Sequence, residues 1–261
     1  MSRSSEEFLV SEAGGVLTFR FNRPDKLNAI NANMRDGLAA AVKRFGETPE
    51  LRVLVIRSTG RYFSAGMDIT AMGDMPVTGV ELRHQYRQLH NIFDEMEKIE
   101  KPVVSAIHAP CFGGSLEMSL SCDFRLAAER AVFALPEIEI GVIPGSGGTS
   151  RLTQLVGRGW ARWLLMGNQR VTAQRALIMG LVQEVYPDDE FDAGVDAFVQ
   201  TLVSLPNDVM GLQKVAIDLA ASTSRESARF VERVANTILI NGDEHKNAVE
   251  LFRRGRPKAG S

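Results

Sequence analysis

The chain has 261 residues, 44% hydrophobic and 24% charged, with a net charge of -2, so it can bury a large core and carries no global basic field toward nucleic acid or acidic lipid. Its two cysteines, Cys111 and Cys122, have no metal-ligand spacing and make no disulfide framework, which predicts a reduced cytoplasmic protein without a metal site. The opening "MSRSSEEFLV" fits no secretory or transit signal, and no run of about 18 apolar residues suggests a membrane span.

In chain order, "GVLTFRF" (15–21) reads as a strand, and the Pro, Asp and Asn of "NRPDKLNAIN" read as a loop. Met34, Leu38, Ala41, Val42 and Phe45 recur at helical spacing. "VLVI" (53–56) is a run of branched aliphatics, expected of a strand covered on both faces. A longer helix follows, with Leu82, Tyr86, Leu89, Phe93 and Met96 on one stripe, read as core. Pro102 ends it and opens the buried strand "PVVSAI" (102–107). This alternation predicts an α/β layered fold.

After residue 145 helices dominate. Thr172 is placed to cap "AQRALIM" and Gly180 to end it, before the short strand "LVQEV". No strand is expected beyond about residue 190. Leu212, Val215 and Leu219 form one stripe and Phe230, Val234 and Ile238 another, faces that need a surface to cover. A soft boundary near residue 200 divides the chain into 1–200 and 201–261. The closing "LFRRGRPK" suits either a solvated helix end or a phosphate contact.

Three loops are dense in glycine and acid. In "YFSAGMDI" (62–69), small side chains at Ser64, Ala65 and Gly66 let a ligand approach backbone N–H groups; a plain turn has the same composition. In "APCFGGSLEMSLSCD" (109–123), Gly113 and Gly114 lead into a helix whose first-turn N–H groups attract negative charge. Glu117 sits one turn on, either as an acid favoured by the helix dipole or beside a reacting group. In "FALPEIEIGVIPGSGGTSRL" (133–152), Glu137 and Glu139 alternate with Ile138 and Ile140, which places both acids on one strand face. "PGSGG" then turns into the helix "TSRLTQLV" and lacks the phosphate-loop pattern. His84 and His90 in the long helix and His108 at a strand end read as structural; none has zinc spacing.

Taken together, these loops resemble the crotonase superfamily of enoyl-CoA hydratases and isomerases. "NRPDKLNAI", "FSAGMDI", "KPVVSAIHAPCFGGSLEMSLSCD", "PEIEIGVIPGSGGTSRL" and "LLMGNQRVTAQRALIMGLVQEV" match its segments in order, over roughly residues 8 to 190. The resemblance implies a spiral of β-β-α turns with a C-terminal helical region that assembles trimers, often paired into hexamers. It implies an acyl-CoA thioester substrate, CoA being part of that substrate and not a separate cofactor.

Residue by residue, the resemblance puts the two oxyanion donors on the N–H groups of Met67 and Gly114, the hydratase acids on Glu117 and Glu137, and a glycine near the attacking water on Gly145. Lys26 and Leu27 match the loop at the nucleotide end of CoA; Ala65, Gly66, Asp68 and Ile69 match the segment along adenine and pantetheine. The implied reaction is hydration of a 2-enoyl-CoA, with 3,2-enoyl-CoA isomerisation as the nearest alternative. Next comes another acyl-CoA reaction of the family, such as decarboxylation, thioester hydrolysis or carbon–carbon cleavage, and last a non-catalytic member that binds a CoA ester or RNA. Ser115 departs from a more usual glycine, "IHAP" replaces an Asn-Gly turn, and Met67, Met72 and Met75 suggest an adaptable apolar acyl pocket.

Overall fold

The computed structural model describes residues 7–71 and 78–254. Its elements run in the order β1 (Phe8–Ala13), β2 (Val16–Phe21), α1 (Ala32–Glu47), β3 (Val53–Ser58), α2 (Gly79–Lys98), β4 (Val103–Ile107), β5 (Cys111–Phe112) and α3 (Gly114–Leu120). Then follow β6 (Phe124–Ala128), β7 (Val132–Ala134), α4 (Ser150–Leu165), β8 (Val171–Thr172), α5 (Ala173–Ile178), β9 (Glu184–Tyr186) and α6 (Phe191–Ser204). Three further helices close the order, α7 (Asn207–Ser222), α8 (Arg225–Asn241) and α9 (Asp243–Arg253). The chain divides into two compact units between Val203 and Ser204.

The first unit holds a six-stranded sheet in the order β1-β2-β3-β4-β6-β9, antiparallel only between β1 and β2. Residues of β3 and β4 are buried throughout, as their uninterrupted aliphatic runs require of parallel strands covered on both faces. In β2 only Leu17, Phe19 and Phe21 are buried, so this strand alternates. A smaller sheet, β5-β7-β8, carries the segments that enter the site.

Helix α1 begins where Asn31 accepts the N–H of Met34, and it buries Met34, Leu38, Ala41, Val42 and Phe45. Helix α2 opens on a reciprocal cap between Thr78 and Glu81. Its expected core stripe divides: Leu89, Phe93 and Met96 are buried, whereas Leu82 is exposed and Tyr86 packs on a loop described below. Thr172 caps α5 by accepting the N–H of Arg175, and Gly180 follows that helix at φ 77°.

One local expectation is overturned. Pro136–Ile140 is a 3-10 turn and not a strand, opened by Pro136 and ended by Gly141 at φ 75°. Glu137 and Glu139 therefore do not share a strand face; Glu139 is exposed and accepts from Asn168 Nδ2 at 2.8 Å.

The second unit is helical, and Phe230, Val234 and Ile238 of α8 are exposed on it. Among the described residues no helix is long and apolar enough to cross a membrane.

Candidate active site

The site begins with two loop segments fastened to each other. A parallel bridge joins Ser64 to Cys111, with Phe63 N–H donating to Pro110 O at 2.9 Å and Phe112 N–H to Ser64 O at 3.0 Å. Beyond the bridge, Gly66 at φ 98° runs directly against the second segment. A methyl group built on Gly66 would lie 2.8 Å from Phe112 O and 3.1 Å from Gly114 N, so only glycine permits this approach.

A methyl group on Gly114 would in turn lie 3.5 Å from Met67 N. The N–H groups of Met67 and Gly114 are thus neighbours, and neither has an acceptor among the described residues. Gly114 is the first residue of α3, where the orphan donors of a helix start point outward.

The Lys26–Ile30 loop is stitched along the first of these segments. Ala65 N–H donates to Leu27 O at 2.9 Å, Ile30 N–H to Gly66 O at 2.8 Å, and Asp68 N–H to Ile30 O at 3.0 Å. Lys26 is exposed, Leu27 adopts φ 52°, and Ile69 is exposed in a short 3-10 turn. The Asp68 carboxylate is already engaged, accepting from Arg23 Nη1 at 2.6 Å and Thr70 Oγ1 at 2.6 Å. The Arg23 guanidinium, foremost, holds that carboxyl below the usual carboxylate range.

Sequence reasoning passed over Asn28, which is fully buried and pins this loop. Its Oδ1 accepts Arg23 N–H at 2.7 Å, while Nδ2 donates to Thr59 O at 2.6 Å and Tyr62 O at 2.9 Å. Its φ of 53° is a left-handed value that asparagine tolerates better than most residues, the one signal in the sequence for such a role.

Helix α3 is buried along its whole length, Glu117 included, with 4% of that residue exposed. The "GSGG" loop answers the cost of that burial: Glu117 Oε1 accepts the N–H of Ser146 at 2.7 Å and of Gly148 at 3.0 Å. Burial still raises the Glu117 pKa, opposed by these two donors and by His90 and Arg151 nearby.

Glu137 approaches from the 3-10 turn. A methyl group on Gly113 would lie 3.2 Å from its Oε1, and its buried Oε2 has no hydrogen-bond partner among the described residues. Burial above all pushes its carboxyl up to about 7, against an opposing hydrogen bond from its own backbone and with a smaller push from the charge of Glu117. The two acids thus feel each other, and one of them is poised to hold a proton near neutrality.

Gly145 lies in the loop that holds Glu117, under the ring of Tyr86, which a methyl group there would meet at 2.7 Å. Its carbonyl oxygen lies 2.6 Å from His90 Nε2. Met72 and Met75 lie outside the described residues. Ser115 is fully buried, its hydroxyl 2.8 Å from Phe112 O and 3.1 Å from Ser64 O, so the departure from glycine adds a tie between the two donor segments. Cys111 is buried against Ser115, and burial pushes its thiol up to about 12, far from a reactive thiolate.

The family model for enoyl-CoA hydratase/isomerase matches residues 11–258. The chain belongs to this family. Within the enoyl-CoA hydratase/isomerase family, the chain is 30% identical over 245 residues to a short-chain-enoyl-CoA hydratase of Clostridium acetobutylicum, covering 94% of this chain and 93% of that protein. It is 32% identical over 230 residues to a carnitinyl-CoA dehydratase of Salmonella typhi, covering 87% and 86%. An enoyl-CoA hydratase structure from Bacillus anthracis superposes with a TM-score of 0.90 at 28% identity, over 96% of this chain and 97% of that one. The mixed α/β architecture is therefore the crotonase fold.

Proposed function

We propose that this protein is an enoyl-CoA hydratase, adding water syn across the 2,3 double bond of an unsaturated acyl-CoA. The observation that carries the reading is the pair of carboxylates at the start of α3, Glu117 and Glu137. Glu117 Oε1 accepts the Ser146 and Gly148 amides. A methyl group on Gly113 would meet Glu137 Oε1 at 3.2 Å, and the buried Oε2 of Glu137 has no hydrogen-bond partner among the described residues. Its relatives named as a hydratase and a dehydratase support the same class of chemistry.

In this reading the thioester oxygen sits between the N–H groups of Met67 and Gly114. Attack of water oxygen at C3 moves electrons through C2 and C1 onto that oxygen as an enolate. Two fixed donors stabilise the charge, each worth roughly 3 kcal/mol of barrier. Glu117, its Oε1 held by two amides, takes a proton from the water. Glu137, protonated near neutrality, delivers a proton to C2. The enolate collapses to the 3-hydroxyacyl thioester, and proton transfer from Glu117 back to Glu137, directly or through solvent, resets the pair.

The Lys26–Leu27 loop and the Ala65, Gly66, Asp68 and Ile69 segment are assigned to the CoA moiety, Asp68 through its backbone because Arg23 occupies its carboxylate. Gly145 is assigned to the water side of the site. The exposed stripe of α8 is assigned to self-association into trimers or pairs of trimers.

The test is loss of the conjugated thioester absorbance of crotonyl-CoA on addition of the protein. Crotonyl-CoA that binds at saturation without being hydrated would overturn the assignment, and conversion of a 3-enoyl-CoA to its 2-enoyl isomer without hydration would replace it with isomerisation.

A further inference from the structure

Two backbone carbonyls of the Glu117 loop are tied to helix α2, one directly and one through Arg151 of α4. At one, His90 Nε2 lies 2.6 Å from Gly145 O; a carbonyl only accepts, so Nε2 carries the hydrogen. At the other, Arg151 Nη1 donates to Ser146 O at 3.2 Å. Arg151 is itself clamped to α2 through Glu97, at 2.7 Å from both Nε and Nη2, and through Asp94 at 2.6 Å. The ring of Tyr86 closes over Gly145 from the same helix, 6.1 Å from the His90 ring centre.

The carbonyl of Gly145 is thus held by His90 of α2 and that of Ser146 by Arg151 of α4, while the N–H groups of Ser146 and Gly148 hold Glu117. We propose that His90 is a positioning residue for the reaction: by fixing the Gly145 carbonyl it sets the tilt of the peptide that links Gly145 to Ser146, whose N–H aims Glu117 Oε1. The peptide joining Gly145 to Ser146 contains both groups, so the pull at its oxygen and the donation from its nitrogen belong to one rigid plane. Rotation of that plane to free the carbonyl turns the Ser146 N–H away from Glu117. His90 makes no contact with substrate in this scheme.

The inference rests on the hydratase reading for its kinetic consequence and on geometry alone for the loop. The test therefore has two arms, amide hydrogen exchange of the full-length protein and crotonyl-CoA kinetics. In His90→Phe, which keeps a ring and removes the donor, exchange at Ser146 and Gly148 should rise about tenfold, the scale of one lost hydrogen bond. Its kcat should fall by about tenfold or more with KM within about twofold, as expected for a misaimed acid and an intact binding segment. His90→Gln, whose amide can donate to the same carbonyl, should recover most of both losses. His90→Ala repeats the test if the phenylalanine variant does not fold.

Wild-type exchange at both amides in the phenylalanine or alanine variant, or a glutamine variant as impaired as these, overturns the proposal. Altered exchange with unchanged kcat also overturns it, since the loop would then be held without consequence for turnover. A wild-type protein that binds crotonyl-CoA and does not hydrate it sinks the hydratase reading, and the exchange arm still decides the His90 contact.

Discussion

Ser115 Oγ lies 3.1 Å from the carbonyl oxygen of Ser64, so a side chain on α3 reaches across to the segment 64–67. The same hydroxyl lies 2.8 Å from Phe112 O, and its single proton serves one acceptor at a time. Ser115→Ala should lower stability by about 1 kcal/mol, the usual worth of such a bond, measured by urea denaturation. It should also loosen the spacing between Met67 and Gly114, seen as a few-fold loss of kcat. Unchanged unfolding and turnover would reduce Ser115 to a space filler.

The carboxylates should separate chemistry from binding. Glu117→Gln keeps an oxygen that can accept the Ser146 and Gly148 amides, so the loop stays in place while the base is lost. Glu137→Gln removes the proton that the proposed mechanism delivers to C2. Each variant should lose about 100- to 10,000-fold in hydration, the range for a general acid or base. Calorimetric affinity for crotonyl-CoA should stay near the wild-type value. Hydration at wild-type rate in either one removes that residue from the mechanism.

The pH dependence follows from Glu137, raised from its ordinary value to about 7 mainly by burial. In the proposed mechanism protonated Glu137 is the active form, so kcat/KM should decline above pH about 7 with loss of one proton. For folding, a carboxyl with a raised pKa binds its proton more tightly in the native state. Its contribution is fully present below the unfolded value near 4.5 and is lost as pH rises through about 7. Thermal melts from pH 5 to 8 should show this decline in the wild type and a smaller one in Glu137→Gln.

The two glycines beside the donors should respond differently to alanine. At Gly66 a methyl group meets the Phe112 carbonyl oxygen at 2.8 Å, and φ is 98°, so backbone must move and the conformation is strained. Gly66→Ala should cost about 1–3 kcal/mol from the strained dihedral alone and abolish hydration. At Gly114 the closest atom is Met67 Cγ at 2.7 Å, on a flexible side chain that can swing aside. Gly114→Ala should fold with nearly wild-type stability. Equal destabilisation in guanidinium melts would contradict this distinction.

Much of the first unit was legible from residue pattern. The five buried positions of α1, the fully covered strands β3 and β4, and the Thr172 cap follow from side-chain periodicity and capping chemistry, which are local. β1 escaped because its residues are mostly exposed and carry no sharp alternation, and β5 and β8 because two residues make no pattern. The alternation around Glu137 misled for a local reason: Pro136 and Gly141 override a period-two reading when they bracket so short a segment.

The candidate acids, the two proposed backbone donors and the proposed CoA loop were singled out by the resemblance, because five short motifs match the family's segments in order, whereas each motif alone also fits a plain turn or helix start. What those residues touch was not legible, since every decisive contact joins distant parts of the chain. Glu117 meets the amides of Ser146 and Gly148 about thirty residues on, 29 and 31 positions away, and His90 meets Gly145 across 55. Hydrogen-bond partnership and desolvation depend on atoms within a few ångströms, irrespective of chain order. Packing alone therefore set a histidine of α2 against the Gly145 carbonyl, and by burial pushed the carboxyl of a half-buried glutamate up to about 7.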